Sequence, residues 1–207
     1  TITQLAQGLA KARHQKTIQT LGDRTGYIGA SDVTQCIRKA VLSKTTPKPP
    51  DLKTLIRFER GHLAEEIVAT SFQDEHPERQ LELAADIPYC PQCRWWAPYA
   101  PEEPFYCPGC GNPLNLLPVK AHLDFIFDDD LILECKSSTS IEIQDSYLLQ
   151  LQAQMALYRH CLQKTPSGLV LVIDLSQGDV HISEVQAPDS GVIFGLVERA
   201  IDIWEGI

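Results

Sequence analysis

Apolar residues recur at helical spacing along the first third of the chain. Ile2, Leu5 and Leu9 predict a helix over residues 2–17, which the Gly22-Asp-Arg-Thr-Gly26 stretch breaks. A second helix is expected from Ser31, whose hydroxyl can accept first-turn N–H groups, with Val33, Cys36, Ile37, Ala40 and Val41 following at helical spacing. After the break at residues 44–50, a third spans 52–72 with Leu55, Ile56, Phe58, Leu63, Ile67 and Val68 on its apolar side. The period then changes to two: Leu81, Leu83 and Ala85 alternate with polar residues, as in a half-buried strand. Beyond the Pro-rich residues 88–118, apolar runs at 119–127 and 131–137 flank Asp128, Asp129 and Asp130 and predict a hairpin with an acidic turn. A helix over 144–163, a hairpin of 167–174 with 179–185, and a helix over 189–206 complete the chain. Helices and strands interleave in this way in α/β folds.

At 207 residues and 43% hydrophobic content, one domain with a small accessory module is expected. Such a chain buries roughly 70% of its unfolded surface. Its longest apolar runs fall far short of the roughly 20 residues needed to cross a bilayer, so no membrane association is expected. The N-terminal residues show neither a central apolar region nor a small-residue cleavage site, so no secretory signal is expected. Net charge is -9, but it is unevenly spread: residues 1–60 carry 11 Lys and Arg against 4 acids, and the remainder 7 against 23. Either a basic partner-binding face is set against an acidic body that holds divalent cations, or these are solvated helix faces.

Seven cysteines cannot all pair within one chain. Cys90-Pro-Gln-Cys93 and Cys107-Pro-Gly-Cys110 are separated by 13 residues, a spacing suited to a closed tetrahedral zinc site of structural type with four cysteine ligands, in a cytoplasmic protein. The aromatics of this segment, Trp95, Trp96, Tyr99, Phe105 and Tyr106, either pack the module on the main domain or offer a stacking platform for single strands.

Asp124 lies on one strand of the acidic hairpin, and Glu134 and Lys136 share one face of the other. Two such carboxylates either share a Mg²⁺ or Mn²⁺ ion, with the ammonium beside a phosphodiester, or are ordinary solvent-facing pairs. Gln150, Gln154 and Tyr158 share one helix face at i, i+4, i+8, either turned towards a site or with Tyr158 an amphipathic core residue and the glutamines on the surface.

Taken together, these motifs resemble the RecB-like branch of the PD-(D/E)xK nucleases, which includes CRISPR-associated and lambda-exonuclease-like members. The similarity rests on Gly61-His-Leu-Ala-Glu65, Ala121-His122-Leu123-Asp124, Glu134-Cys135-Lys136 and Gln154-Met-Ala-Leu-Tyr158, in the family's order. An opening Ser31-Asp32 with Cys36-Ile-Arg38 extends it over residues 31–158. Ala121 replaces the usual Gly, and Glu65 stands where many members have His.

The resemblance implies a restriction-endonuclease-like α/β core, a mixed central sheet flanked by helices, formed by residues 1–88 and 118–207, with a zinc ribbon inserted at 89–117. It implies a divalent-metal-dependent deoxyribonuclease, an exonuclease acting on DNA ends or single strands in CRISPR adaptation, recombination or repair. Glu65, Asp124, Glu134 and the Cys135 carbonyl would hold Mg²⁺ or Mn²⁺, Lys136 would be the catalytic lysine, and Gln154 and Tyr158 would face the site. Arg38, Lys39, Arg57, Arg60 and Gln150 would meet DNA. His122 is expected in a supporting or DNA-contacting place on the Asp124 face. The family's iron-sulfur cluster is not expected, because only Cys36 and Cys161 remain for it, and both are expected to be buried thiols. The alternative is a non-catalytic or partner-dependent DNA-binding subunit on the same fold.

Overall fold

A computed structural model describes residues 3–4, 7–12, 22–98 and 106–207. Residues 3–4 and 7–12 are helical; the rest of the helix expected over 2–17, and Tyr99 and Phe105, lie outside the described residues. The strands are β1 (Ile28–Gly29), β2 (Glu78–Tyr89), β3 (Asn115–Phe127), β4 (Leu131–Ser137), β5 (Ser167–Asp174) and β6 (Asp179–Val185). The helices are α1 (Ile37–Thr45), α2 (Leu52–Ser71), α3 (Asp145–Leu162) and α4 (Ser190–Glu205).

The strands form one mixed sheet in the order β1-β3-β4-β5-β6, with β2 also paired to β3. β4 and β5 run parallel, and α3 is the crossover between them. Strand parity assigns the two faces. Ile132, Val170 and Val172 lie under Leu151 and Met155 of α3, whereas Leu133, Cys135, Leu171 and Ile173 lie under Ala64 and Val68 of α2. Because both faces are covered, β4 and β5 read in sequence as unbroken apolar runs rather than alternating ones. A third cluster joins Leu196, Ala200 and Ile201 of α4 to Ile28, Ala40, Ile87 and Leu117. The chain is thus a mixed α/β protein with a central sheet between helices, as the alternation of periods predicts.

Three expectations shift. The second helix starts at Ile37, not Ser31, because residues 30–35 are spent on turns: the Asp32 carboxylate accepts from Gly29 N (2.8 Å) and pairs with the buried Lys44 ammonium (2.9 Å). The buried side of α2 is Leu55, Ala64 and Val68, while Ile56, Phe58, Leu63 and Ile67 are between 41% and 55% exposed. Apolar content alone did not reveal that the small Ala64 marks the contact line. The strand seen around Leu81–Ala85 belongs to a much longer ladder, running from Glu78↔Ile126 to Tyr89↔Asn115, so the first knuckle begins where β2 ends.

Cys36 is not buried. It is exposed at the N-cap of α1, where the backbone N–H groups of Lys39 and Arg38 hold its thiol below the usual range. Cys161 is half-buried.

Candidate active site

The β3–β4 ladder holds three pairs, ending at Phe125↔Leu133. Asp124 and Glu134 would form the next pair, but there the strands part, and Asp124 Oδ2 instead accepts from Cys135 N (2.9 Å). The carboxylates therefore sit in the fork of the sheet. The β2–β3 ladder is interrupted at the same level: opposite Asp124 stands Gln80, with φ 56°, a left-handed conformation uncommon for a residue with a side chain.

α3 lies along β4 with matched pitches, since four helical residues advance about 6.0 Å and two strand residues about 6.6 Å. Gln150 meets Lys136, Gln154 meets Glu134, and Tyr158 meets Asp130 at the turn before β4. Glu134, only 2% exposed, accepts from Lys136 Nζ and Gln150 Nε2 (2.6 Å) on Oε1 and from Gln154 Nε2 (2.7 Å) on Oε2. Gln150 Oε1 in turn accepts from Lys136 Nζ (3.2 Å), which also sits 5.8 Å from the centre of the Tyr147 ring. Burial alone would lower the Lys136 ammonium, but Glu134 and Asp124 outweigh it and hold its pKa above the ordinary value. Asp124 is pushed well above the carboxylate range by burial first and by the Glu134 charge second. Burial does the same to the Cys135 thiol, which stays neutral.

Glu65 of α2 is close enough to raise Asp124 further. Its own carboxylate lies 3.5 Å from His62 Nδ1 and accepts from Gln80 Nε2 (3.3 Å). Neighbouring Glu66 faces away, to Arg79 (2.7 Å). Tyr158 is on the predicted helix face, but its hydroxyl donates to Asp130 Oδ1 (2.6 Å), which Lys164 also holds, and is not brought to the carboxylates. Burial and that arrangement push its pKa up to about 12. His122 is half-buried, 3.5 Å from Glu82; burial lowers its imidazole, and its carbonyl accepts from Gln154 Nε2 (3.1 Å).

A polar cavity of about 420 Å³ opens beside Lys136 and Gln150, walled by Ser31, Thr34, Lys39 and Tyr147. Of the basic residues expected to meet DNA, Lys39 reaches this cavity, Arg38 and Arg57 are exposed, and Arg60 donates to Ser138 O (3.4 Å).

Do the donors suit a hard divalent cation? Three carboxylates and a backbone carbonyl are hard oxygen ligands. The Asp124 carboxyl is held up by burial first and by the Glu134 and Glu65 charges after it, and a cation would offset that repulsion. The Gln154 amide oxygen is buried with no protein donor, so it is open to a donor of the kind a hydrated ion carries. The residues fit, although the three carboxylates do not gather as closely as the cysteines do: among the described residues, the cysteines are the group whose ligand atoms all lie within 4.8 Å of one another.

That group is Cys90, Cys93, Cys107 and Cys110. The Cys90–Cys110 and Cys93–Cys107 sulfurs are 3.4 Å apart, too long for a disulfide at about 2.05 Å and near the separation that a tetrahedral cation with Zn–S of about 2.3 Å imposes. The two knuckles repeat one another. Arg94 N donates to Cys90 O and Gly111 N to Cys107 O, both at 2.8 Å, and Arg94 (φ 60°) and Gly111 (φ 71°) both adopt the left-handed conformation. The Cys93 N–H, aimed at the Cys90 sulfur, lowers that thiol to about 7, while hydrogen bonds among the four sulfurs push Cys93 up to about 12 and Cys110 up as well, so without a cation the group shares its protons unevenly. Trp96 bridges to Tyr89, packs on the α4 cluster and lies 6.4 Å from Phe194, so it binds the module to the domain; Tyr106 is exposed.

Gln80 and Arg94 are site residues that the sequence did not single out. Nothing marks a glutamine in a strand as left-handed, but aligning the two knuckles would have found Arg94, since it stands where the second has Gly111.

No family model matches the chain, and no curated protein matches it. Solved structures do. The crystal structure of SSO0001 superposes with a TM-score of 0.63 at 16% identity over 97% of this chain and 86% of that one. An alkaline exonuclease from Laribacter hongkongensis gives 0.51 at 13% identity over 87% of each chain. A candidate exonuclease from Eubacterium rectale gives 0.54 at 13% identity over 92% of this chain and 86% of that one. The fold is shared with these proteins. No helix among the described residues is long and apolar enough to cross a membrane.

Proposed function

We propose that the chain is a metal-dependent deoxyribonuclease of the RecB-like PD-(D/E)xK type, acting as an exonuclease on DNA ends or single strands. The observation that carries this reading is the gathering of Asp124, Glu134, Lys136, Gln150 and Gln154 in the fork of the sheet beside a polar cavity. Two of the fold relatives carry exonuclease in their names. Glu65, Asp124, Glu134 and the Cys135 carbonyl would hold Mg²⁺ or Mn²⁺, which would supply Lewis-acid chemistry to phosphodiester hydrolysis. Lys136 lines the cavity, where its ammonium would stabilise charge on the phosphate. Gln150 and Gln154 fix the Glu134 carboxylate, and Lys39 with the exposed Arg38 and Arg57 holds the strand's phosphates. Zn²⁺ is the cation we assign to the four thiolates, in a reducing compartment such as the cytoplasm. The pathways this activity suits are CRISPR adaptation, recombination or repair.

One observation favours a second reading, dependence on a partner. Lys136 and Gln150 both donate to Glu134 Oε1, leaving only Oε2, which Gln154 shares, so ligation through Oε1 requires a rearrangement that a partner could drive. End-labelled single- and double-stranded DNA incubated with Mg²⁺, Mn²⁺ or EDTA tests both. Cleavage that needs the metal and falls by a factor on the order of 10²–10⁴ in Lys136→Ala and Glu134→Ala is expected. A folded, zinc-loaded protein that cuts no substrate would overturn the stand-alone enzyme.

A further inference from the structure

Two arginines tie distant regions of the chain to α4. Arg94, in the first knuckle, crosses to the helix and donates from Nε to Glu198 Oε2 (3.0 Å), from Nη2 to Asp202 Oδ1 (2.7 Å) and Glu198 O (3.2 Å), and from Nη1 to Glu205 Oε2 (3.3 Å). Arg199, beside Glu198 in sequence, donates from Nε to Val33 O (2.7 Å) and from Nη2 to Gln35 O (2.5 Å). The segment it grips carries Ser31, Thr34 and Gln35, which wall the polar cavity opposite Lys136 and Gln150.

The end of α4 has reason to depend on Arg94. Glu198, Asp202 and Glu205 lie at i, i+4 and i+7, so they repel one another, and Asp202 and Glu205 lie in the last turn, where the macrodipole already disfavours negative charge. No basic residue occupies the last turn. The countercharge comes from the knuckle, whose shape a metal on the four thiolates would fix. Both ends of this chain of contacts also meet in one packed cluster, in which Val33, Leu196, Ala200 and Ile201 are buried and Trp96 and Ile37 pack against them.

We propose that the four-cysteine module is a positioning element for the cavity beside Lys136, acting through Arg94, the C-terminal turns of α4 and Arg199 on the wall at residues 31–36. With the knuckle closed, α4 is ordered to Glu205 and Arg199 holds Val33 and Gln35; with Arg94 released, the last turns fray and the wall loosens. Its consequence for DNA binding rests on the nuclease reading, but the coupling itself does not.

Arg94→Gly separates the parts. Glycine suits the left-handed position, as Gly111 shows in the second knuckle, and all four thiols remain, so the variant should still take up one zinc per chain by metal analysis. Hydrogen exchange should then speed up roughly tenfold at the α4 amides after Arg199 and at the Asp32 and Gln35 amides, which bond to Gly29 O and Asp32 O. Stripping zinc from the wild type with a chelator should loosen the same amides. Arg199→Met should loosen the wall and leave zinc content and the end of α4 unchanged, and Arg199→Lys should restore part of the protection. In cleavage assays, Arg94→Gly and Arg199→Met should raise KM for DNA by roughly three- to tenfold with kcat within about twofold. Wild-type exchange at Asp32 and Gln35 in zinc-loaded Arg94→Gly would overturn the proposal. If the wild type cuts no DNA, the exchange experiment still decides the coupling, and only the nuclease reading falls.

Discussion

All four sulfurs of the cysteine group lie within 4.8 Å of one another and come from two turns of a single hairpin. The carboxylate site draws Glu65 from α2, Asp124 from β3, Glu134 from β4 and two glutamines from α3. The contrast follows from charge. Thiols can crowd while protonated and give up their protons as a metal arrives. Carboxylates resist crowding, since burial and then the Glu134 charge push Asp124 up, and the fold occupies Glu134 with an ammonium and two amides. One site is gathered by its backbone turns alone, and the other is held together by the side chains with which a metal would share Glu134.

The largest effect is expected where that contrast is sharpest. Cys107, 2% exposed, anchors the second knuckle, and Cys107→Ser should lose the bound zinc and more than about 3 kcal/mol of unfolding free energy, read by metal analysis and denaturant titration. A variant that stays as stable as the wild type would mean that the thiols hold nothing of structural weight. At the carboxylates the change runs the other way, since the metal adds to a site already folded. Mg²⁺ at about a hundred times its Kd should stabilise the wild type by about 2.7 kcal/mol, seen as a rise in Tm, and should leave Asp124→Asn unmoved. Equal shifts in both proteins would place the ion elsewhere.

The same contrast explains what could be read from the chain. Both CxxC pairs are contiguous in sequence, and so are the hairpin runs at 131–137, 167–174 and 179–185, which match β4, β5 and β6 residue for residue. The hydrogen-bond partners of Glu134 were legible only in part: i, i+4, i+8 spacing placed Gln150, Gln154 and Tyr158 on one helix face, but not at which level of β4 each would land. That depends on the register of α3 against β4, which puts the Tyr158 hydroxyl on Asp130. The Ser31 start failed for a related reason, because the buried Lys44 partner that commits Asp32 to a turn lies twelve residues further on.

A smaller effect separates the two ends of α3. Tyr158→Phe removes one hydrogen bond to a carboxylate that keeps Lys164 as its partner, so a loss of about 1–2 kcal/mol is expected. Cleavage should stay within about twofold, because the hydroxyl touches none of the Asp124 cluster. A loss comparable to that of Lys136→Ala would bring Tyr158 into the catalytic machinery and show that α3 shifts along β4 when DNA binds.

Gln80 offers the finest distinction, since its backbone and side chain do separate things. Its left-handed φ of 56° keeps the β2–β3 ladder open opposite Asp124, and its amide donates to Glu65 Oε2 at 3.3 Å on a partly exposed surface. Gln80→Ala keeps the strained backbone and removes the amide, whereas Gln80→Gly removes both the amide and the strain. The glycine variant should therefore be more stable than the alanine variant by about 1 kcal/mol, although glycine loses more entropy on folding. Both should weaken Mg²⁺ binding alike, by a few-fold, if the amide's part is to aim Glu65. If alanine binds Mg²⁺ as the wild type does and glycine does not, then what Glu65 and Asp124 require is the fixed kink in β2 rather than the hydrogen bond.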